Sequence, residues 1–73
     1  MDRNRINSDI ARRVNLAIRE AGSDVHNVAQ AADITTLELE DRLNGRVEFQ
    51  PEELVHVGGF LRIPVTRFMK EAA

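Results

Sequence analysis

The sequence contains no cysteine, tryptophan or tyrosine, and its 73 residues include only three phenylalanines and two prolines. Without cysteine the chain can form neither a disulfide framework nor a thiolate metal site, so we expect packed apolar side chains to supply its stability. A chain of this length leaves room for one domain. It therefore excludes enzyme folds that combine a cofactor domain with a substrate domain.

Long hydrophobic runs are also lacking. The apolar stretches span a few residues, whereas a membrane-spanning helix needs about 20. The first residues, Met1-Asp2-Arg3-Asn4-Arg5, lack the apolar region of a signal peptide. The sequence therefore predicts a cytoplasmic protein with no membrane partner.

A basic excess is the third absence. Ten Lys and Arg residues face twelve Asp and Glu residues, a formal net charge of -2. Residues 23–45 carry one basic and five acidic groups, a net charge of -4, against +2 for residues 1–22 and 0 for residues 46–73. Proteins that bind polyanions through phosphate attraction alone usually carry a basic excess, so a general polyanion binder is disfavoured.

Short amphipathic runs separated by glycine and proline predict five helices. The first is predicted to begin with a cap at Ser8 or Asp9 and to end at Gly22. Its apolar stripe consists of Ile10, Val14, Ala17, Ile18 and Ala21. The second helix is predicted to begin after Ser23 or Asp24 and to bury Val25, Val28, Ala29 and Ala32.

The third helix is predicted from Thr35 and Glu38, whose spacing is that of a capping box, and it should end at Asn44-Gly45. Pro51 suits the first position of a fourth helix, and Pro64 separates that helix from a short fifth one. No window alternates with period two over enough residues to predict a strand. The predicted fold class is all-α.

The apolar stripe of the fourth helix, Leu54, Val57 and Leu61, includes Gly58 on the same side. The missing side chain there should allow a neighbouring segment to approach closely. All three phenylalanines, Phe49, Phe60 and Phe68, are assigned to the core. For Phe68 a dimer interface shared with Met69 is an equally open alternative.

Helices two and three are separated by a tight turn, with Ala29 in the first, Ile34 in the turn and Leu39 in the second, which is the pattern of a helix-turn-helix. The spacing from Val28 to Gly45, followed by Phe49-Gln50-Pro51-Glu52-Glu53-Leu54 and by residues 60–65, resembles the lambda-repressor/Cro-like (XRE) family of DNA-binding domains. The resemblance covers about residues 9–68. It implies a five-helix domain, residues 8–73, preceded here by a flexible N-terminal arm, residues 1–7.

The resemblance also implies a recognition helix at about residues 36–44 that lies in the major groove of DNA. Its DNA-facing positions correspond to Thr36, Leu37, Glu40 and Asp41. Phosphate contacts correspond to Asp24 and Val25 at the start of the second helix and to Asn44 and Arg46 after the third. Departures from the family pattern are Asp33 where glycine is usual and Val25 where a hydrogen-bonding side chain is common.

Four further arginines are candidates for phosphate or minor-groove contacts. Arg12 and Arg13 lie off the apolar stripe of the first helix, and Arg3 and Arg5 belong to the N-terminal arm. Arms of this kind enter the minor groove in several DNA-binding families. The alternative for all four is ordinary solvated charge.

Acidic side chains in the predicted recognition helix are the main argument against DNA binding, because only cytosine N4 and adenine N6 donate hydrogen bonds in the major groove. Glu38 is explained as the capping-box partner. Glu40 or Asp41 can pair with Arg42 or Arg46. The hypothesis therefore requires these carboxylates to be engaged within the chain.

The sequence thus favours a small DNA-binding transcriptional regulator of the phage or prophage type, binding a pseudo-palindromic operator as a homodimer. The alternative is a helix-turn-helix fold used as a protein-interaction module, such as an antirepressor, a modulator of a host protein or an antitoxin. No arrangement for catalysis, a cofactor, a small-molecule substrate or a metal is recognised. His26 and His56 are too few for a metal site, and Glu52-Glu53 suits a helix dipole.

Overall fold

The computed structural model describes residues 3–69, with side chains from residue 8 onward. This part of the chain forms five α-helices and no strand, which confirms the predicted all-α class. The helices are α1 (Arg3–Glu20), α2 (Val25–Ala31), α3 (Thr36–Leu43), α4 (Pro51–Leu61) and α5 (Val65–Met69). Helix α1 packs against α3 and α5, α2 against α3 and α4, and α4 against α5.

Helix α1 begins at Arg3, five residues before the predicted start at Ser8. Residues 3–7 were predicted to be an arm, but they contain neither glycine nor proline. Extending an existing helix by one residue costs little once the first turn has formed. The predicted arm is therefore helical from Arg3, and its first two residues lie outside the described part.

Four helix ends share one termination geometry. A residue with left-handed backbone follows each of α1 to α4, namely Gly22 (φ +66°), Asp33 (φ +63°), Gly45 (φ +80°) and Arg62 (φ +61°). In each case the amide of this residue and that of the next one donate to carbonyls of the last helical turn. This is the Schellman arrangement, in which the left-handed residue is usually glycine.

The core lies between the helices and contains most of the predicted stripe residues, whereas Ala21, predicted in the first stripe, lies after the end of α1 and is exposed. Its buried members include Val14, Val28, Leu39, Leu54, Val57 and Phe68, each at most 2% exposed. Ala11 is also buried, which the sequence analysis missed. Ile34, Leu43 and Phe49 are partly buried and pack against this cluster.

Phe60 departs from its predicted place in the core, since it is 46% exposed. It lies three residues after Val57, but the buried side of α4 continues instead through Leu61, which packs against the core. The assignment of Phe60 to the core was wrong.

Gly58 has the predicted close neighbour. A Cβ atom built on it would lie 2.6 Å from the carbonyl oxygen of Ile63, closer than real Cβ contacts allow. The same atom would lie 3.6 Å from Cε2 of Phe68. The absence of a side chain at Gly58 therefore lets the chain fold back from α4 into α5.

None of the helices within residues 3–69 has the length and apolarity needed to cross a membrane.

Candidate nucleic-acid interface

The turn between α2 and α3 fixes the angle between these two short helices. Asp33 adopts the left-handed conformation, and its N–H donates to the carbonyl of Gln30 at 3.0 Å. The N–H of Ile34 donates to the carbonyl of Ala29, also at 3.0 Å. Ala29 is 1% exposed beneath α3, so a larger side chain there would separate the helices.

The start of α3 is held by the predicted capping box. The N–H of Thr35 donates to Oε1 of Glu38 at 2.8 Å, and the N–H of Glu38 donates to Oγ1 of Thr35 at 3.0 Å. These two bonds satisfy amides that a helix start otherwise leaves free. The capping box thus engages the Glu38 carboxylate within the chain.

Thr36 and Leu37 are the first two residues of α3. Leu37 is 68% exposed, the most exposed of the large apolar side chains in the described part. Thr36 is half-buried, and its hydroxyl oxygen lies 3.1 Å from Nδ1 of His26 on α2. The hydroxyl is therefore already engaged by one hydrogen bond.

His26 is the residue that sequence analysis missed, having been considered only as a metal ligand. It occupies the first turn of α2, where its own N–H donates to the N-cap Asp24 at 3.3 Å. The turn between α2 and α3 places the first turns of both helices side by side. The sequence signal that could have predicted this contact is the presence of two polar residues, His26 and Thr36, at the starts of two consecutive short helices.

Asp41 and Arg46 form one of the alternative ion pairs that the sequence analysis allowed, with 3.2 Å between Oδ1 and Nη1. The Arg46 side chain remains 69% exposed. Glu40 is exposed, and no ion pair joins it to another residue of the described part. Of the three carboxylates of α3, only Glu40 therefore lies on the surface without a partner in that part.

Arg42 does not pair with Glu40 or Asp41, contrary to one predicted alternative. Its Nε and Nη2 donate to the two carboxylate oxygens of Glu53 on α4, at 2.8 and 3.2 Å. Its Nη1 donates to the carbonyl of Glu38 at 2.9 Å. Arg42 therefore links α3 to α4, and each of its three guanidinium nitrogens donates a hydrogen bond within the chain.

Arg12 lies beside the end of α3. A shallow groove of about 420 Å³ between α1 and α3 is lined by Arg12, Arg19, Asn15 and Asn44 among others. Asn15 donates to the carbonyl of Leu43 at 3.3 Å, which joins the two helices there. The structure thus brings Arg12 together with Asn44 and adds Arg19, which the sequence analysis did not select.

Arg13 lies elsewhere. Its Nη1 donates to the carbonyl of Phe68 on α5 at 3.5 Å, so the side chain follows α5 and not α3. The structure does not bring it to Asn44 and Arg46. The side chains of Arg3 and Arg5 lie outside the described part.

Phe68 and Met69, the predicted dimer interface, have different surroundings. Phe68 is 1% exposed and belongs to the core, so its side chain is not available to a second chain. Met69 is 47% exposed. The assignment of Phe68 to an interface is thereby corrected, because α5 packs this ring against α1 and α4.

Charge on the surface of α2 and α3 is predominantly acidic. Asp24, Asp33, Glu38 and Glu40 are exposed, and Arg46, which pairs with Asp41, is an exposed cation just after α3. Arg12 and Arg19 of α1 lie near the end of α3, whereas Arg13 lies toward α5. No group of three or more His, Asp or Glu side chains in the described part could hold a metal ion.

Comparisons with protein-family models, with curated proteins and with solved structures gave no match for this chain.

Proposed function

We propose that this protein is a sequence-specific DNA-binding transcriptional regulator with a helix-turn-helix of the lambda-repressor/Cro-like kind. Helix α3 enters the major groove and presents Thr36 and Leu37 to base edges. The main support for this proposal is that Glu38 and Asp41 are engaged within the chain while Leu37 is 68% exposed. Among the described residues, Glu40 is then the one carboxylate of α3 without an ion pair or a capping bond.

Arg46 supplies the principal phosphate contact. Its pair with Asp41 joins side chains that are 69% and 34% exposed, and surface pairs of this kind contribute about 0–1 kcal/mol. The guanidinium can therefore turn from Asp41 to a phosphate at little cost. Asn44 and Arg12, which line one groove, extend this contact along the backbone.

A chain with few base contacts gains specificity by pairing on DNA. Two copies on a pseudo-palindromic operator, with half-site centres about 34 Å apart, double the number of bases that are read. Exposed apolar residues such as Met69 on α5 are available for this pairing. The chain acts in this proposal without a cofactor or a small-molecule substrate.

Selection from a pool of random duplexes, followed by titration of the enriched sequence across salt concentrations, tests the proposal. We expect one enriched sequence with two related half-sites. We also expect the logarithm of the association constant to fall by about 0.9 for each phosphate contact per unit of log salt. A pool that stays random, or an affinity independent of salt, would contradict DNA reading.

The acidic surface favours a second candidate, a protein-interaction module. Residues 23–45 carry a net charge of -4, and Glu38 and Glu40 are exposed on α3. A basic partner surface would be attracted to these groups. Affinity capture after nuclease treatment separates the candidates, because a DNA reader loses its associates and a protein binder keeps them.

A further inference from the structure

One surface of the chain combines an exposed apolar side chain with negative charge. Leu37 projects from the start of α3 and is 68% exposed. Glu38 follows Leu37 directly. Glu40 lies three residues after Leu37, and helical geometry places these two side chains next to each other. We call Leu37, Glu38 and Glu40 the acidic knob.

A second surface has the opposite character. A groove of about 310 Å³ lies between α1 and the segment that leads into α5. Its apolar lining includes Leu16, which is 49% exposed, and Ile63. The charged side chains that line it are Arg12, Arg13 and Arg67 against a single acid, Glu20. We call this the basic groove.

The two surfaces carry opposite charge, and each has an exposed apolar side chain. The acidic knob has an apolar side chain with carboxylates beside it. The basic groove has an apolar lining with guanidinium groups beside it. Asp9, which pairs with Arg12 at 3.4 Å, reduces the positive charge at one end only. Arg13 and Arg67 lie toward α5, where the Phe68 carbonyl holds Arg13 in place.

We propose that the acidic knob of one copy of this chain binds in the basic groove of another copy. The knob and the groove share no residue, so one molecule can use both at once. Such a contact is heterologous, and without a closing rotation it repeats into open chains. The occupant is a second copy because the complementary surface is carried by the chain itself and is present at equal concentration.

Two variants isolate the halves of this contact. Leu37→Lys removes the knob and places a cation opposite the arginines, while Arg67→Glu reverses charge in the groove. Both positions are exposed, and surface substitutions generally leave stability within about 0.5 kcal/mol. Circular dichroism on each variant verifies that the helices are kept.

Sedimentation velocity at low salt and without DNA gives the readout. We expect the weight-average mass of the wild-type chain to rise continuously with concentration and to fall when salt screens the charges. Each variant alone should remain monomeric. Their equimolar mixture should form a one-to-one complex and nothing larger, because each supplies the surface that the other lacks.

Val55→Lys is the matched control, since Val55 is 55% exposed on α4 and belongs to neither surface. It should associate like the wild-type chain. Two results would overturn the proposal. One is a wild-type chain that stays monomeric at millimolar concentration. The other is a variant that associates with itself as tightly as it associates with the other variant. Neither result depends on whether the protein binds DNA.

Discussion

Arg42 and Glu53 form a two-point ion pair that joins α3 to α4. The Nε and Nη2 donors reach the two carboxylate oxygens at 2.8 and 3.2 Å, and the side chains are only 13% and 12% exposed. Glu53 also accepts the N–H of Gln50, which caps α4. One carboxylate therefore sets both the start of α4 and the position of α3.

Replacing Glu53 with Gln should lower the free energy of unfolding by about 2 kcal/mol, because the largely buried guanidinium of Arg42 loses its counter-charge. Urea denaturation followed by circular dichroism measures this. Glu52→Gln is the control, since Glu52 is exposed in the same turn and should cost less than about 0.5 kcal/mol. Equal effects at the two positions would show that the ion pair contributes no stability.

The adjacent glycines of α4 should respond oppositely to alanine. Gly58→Ala should destabilise by about 2 kcal/mol, because its Cβ would collide with the Ile63 carbonyl at 2.6 Å. Gly59→Ala meets nothing within 4 Å and should stabilise by about 0.5–1 kcal/mol through helix propensity. Thermal unfolding of both variants checks the signs, and a stable Gly58→Ala variant would contradict the close approach.

Arg62 ends α4 in the left-handed region, at φ +61°. A side chain there costs about 1–2 kcal/mol, so Arg62→Gly should raise the free energy of unfolding by about 1 kcal/mol after the added flexibility of the unfolded chain is counted. Arg62→Ala keeps the strain and should be nearly neutral. Denaturation midpoints of both variants test this. A similar gain in stability for Arg62→Ala would show that loss of the arginine side chain causes the stabilisation, and not relief of the left-handed backbone.

His26 should influence base preference through Thr36. The 3.1 Å contact between Nδ1 and Oγ1 decides whether the hydroxyl is left as a donor or an acceptor for DNA. We expect His26→Ala and Thr36→Val to relax preference at the same base pair, and the double variant to add nothing further. Binding to a set of single-base operator variants measures this, with His56→Ala as the control. Effects at different base pairs would contradict the coupling.

Arg46 and Asp41 should affect DNA affinity in opposite directions. Arg46→Ala should weaken binding to all duplexes alike and reduce the salt slope by about 0.9. Asp41→Asn frees the guanidinium and removes a negative charge, so binding should tighten by about two- to fivefold, in line with a surface pair worth less than about 1 kcal/mol. Salt-dependent titrations give both values. Weaker binding by Asp41→Asn would mean that the pair itself positions Arg46.

Local features of the fold were predictable because their partners lie within a few residues. The capping box of Thr35 and Glu38, the cap at Asp24 and the helix start at Pro51 all occur where the sequence predicts them. The left-handed backbone of Gly45 follows from the missing side chain. The start of α1 was missed because helix extension through residues 3–7 meets no breaker.

The candidate site was predictable in part. The Asp41–Arg46 pair spans five residues and was anticipated, whereas the His26–Thr36 contact depends on how two helices meet. Arg12 and Arg13 are neighbours in sequence, yet one lies near Asn44 and the other near Phe68. A helix turns by about 100° per residue, so only the packing of the other helices decides which neighbour each arginine meets.

The amino-acid sequence by itself determined the all-α class, the caps at the starts of α2, α3 and α4 and most of the apolar stripes, since each depends on residues a few positions apart. Tertiary structure alone decided that Arg42 binds Glu53 eleven residues away, that Phe68 lies in the core and that Phe60 is left exposed. Those outcomes depend on the angles at which helices cross. Such angles follow from the packing of all the side chains together, so no single segment of the sequence determines them.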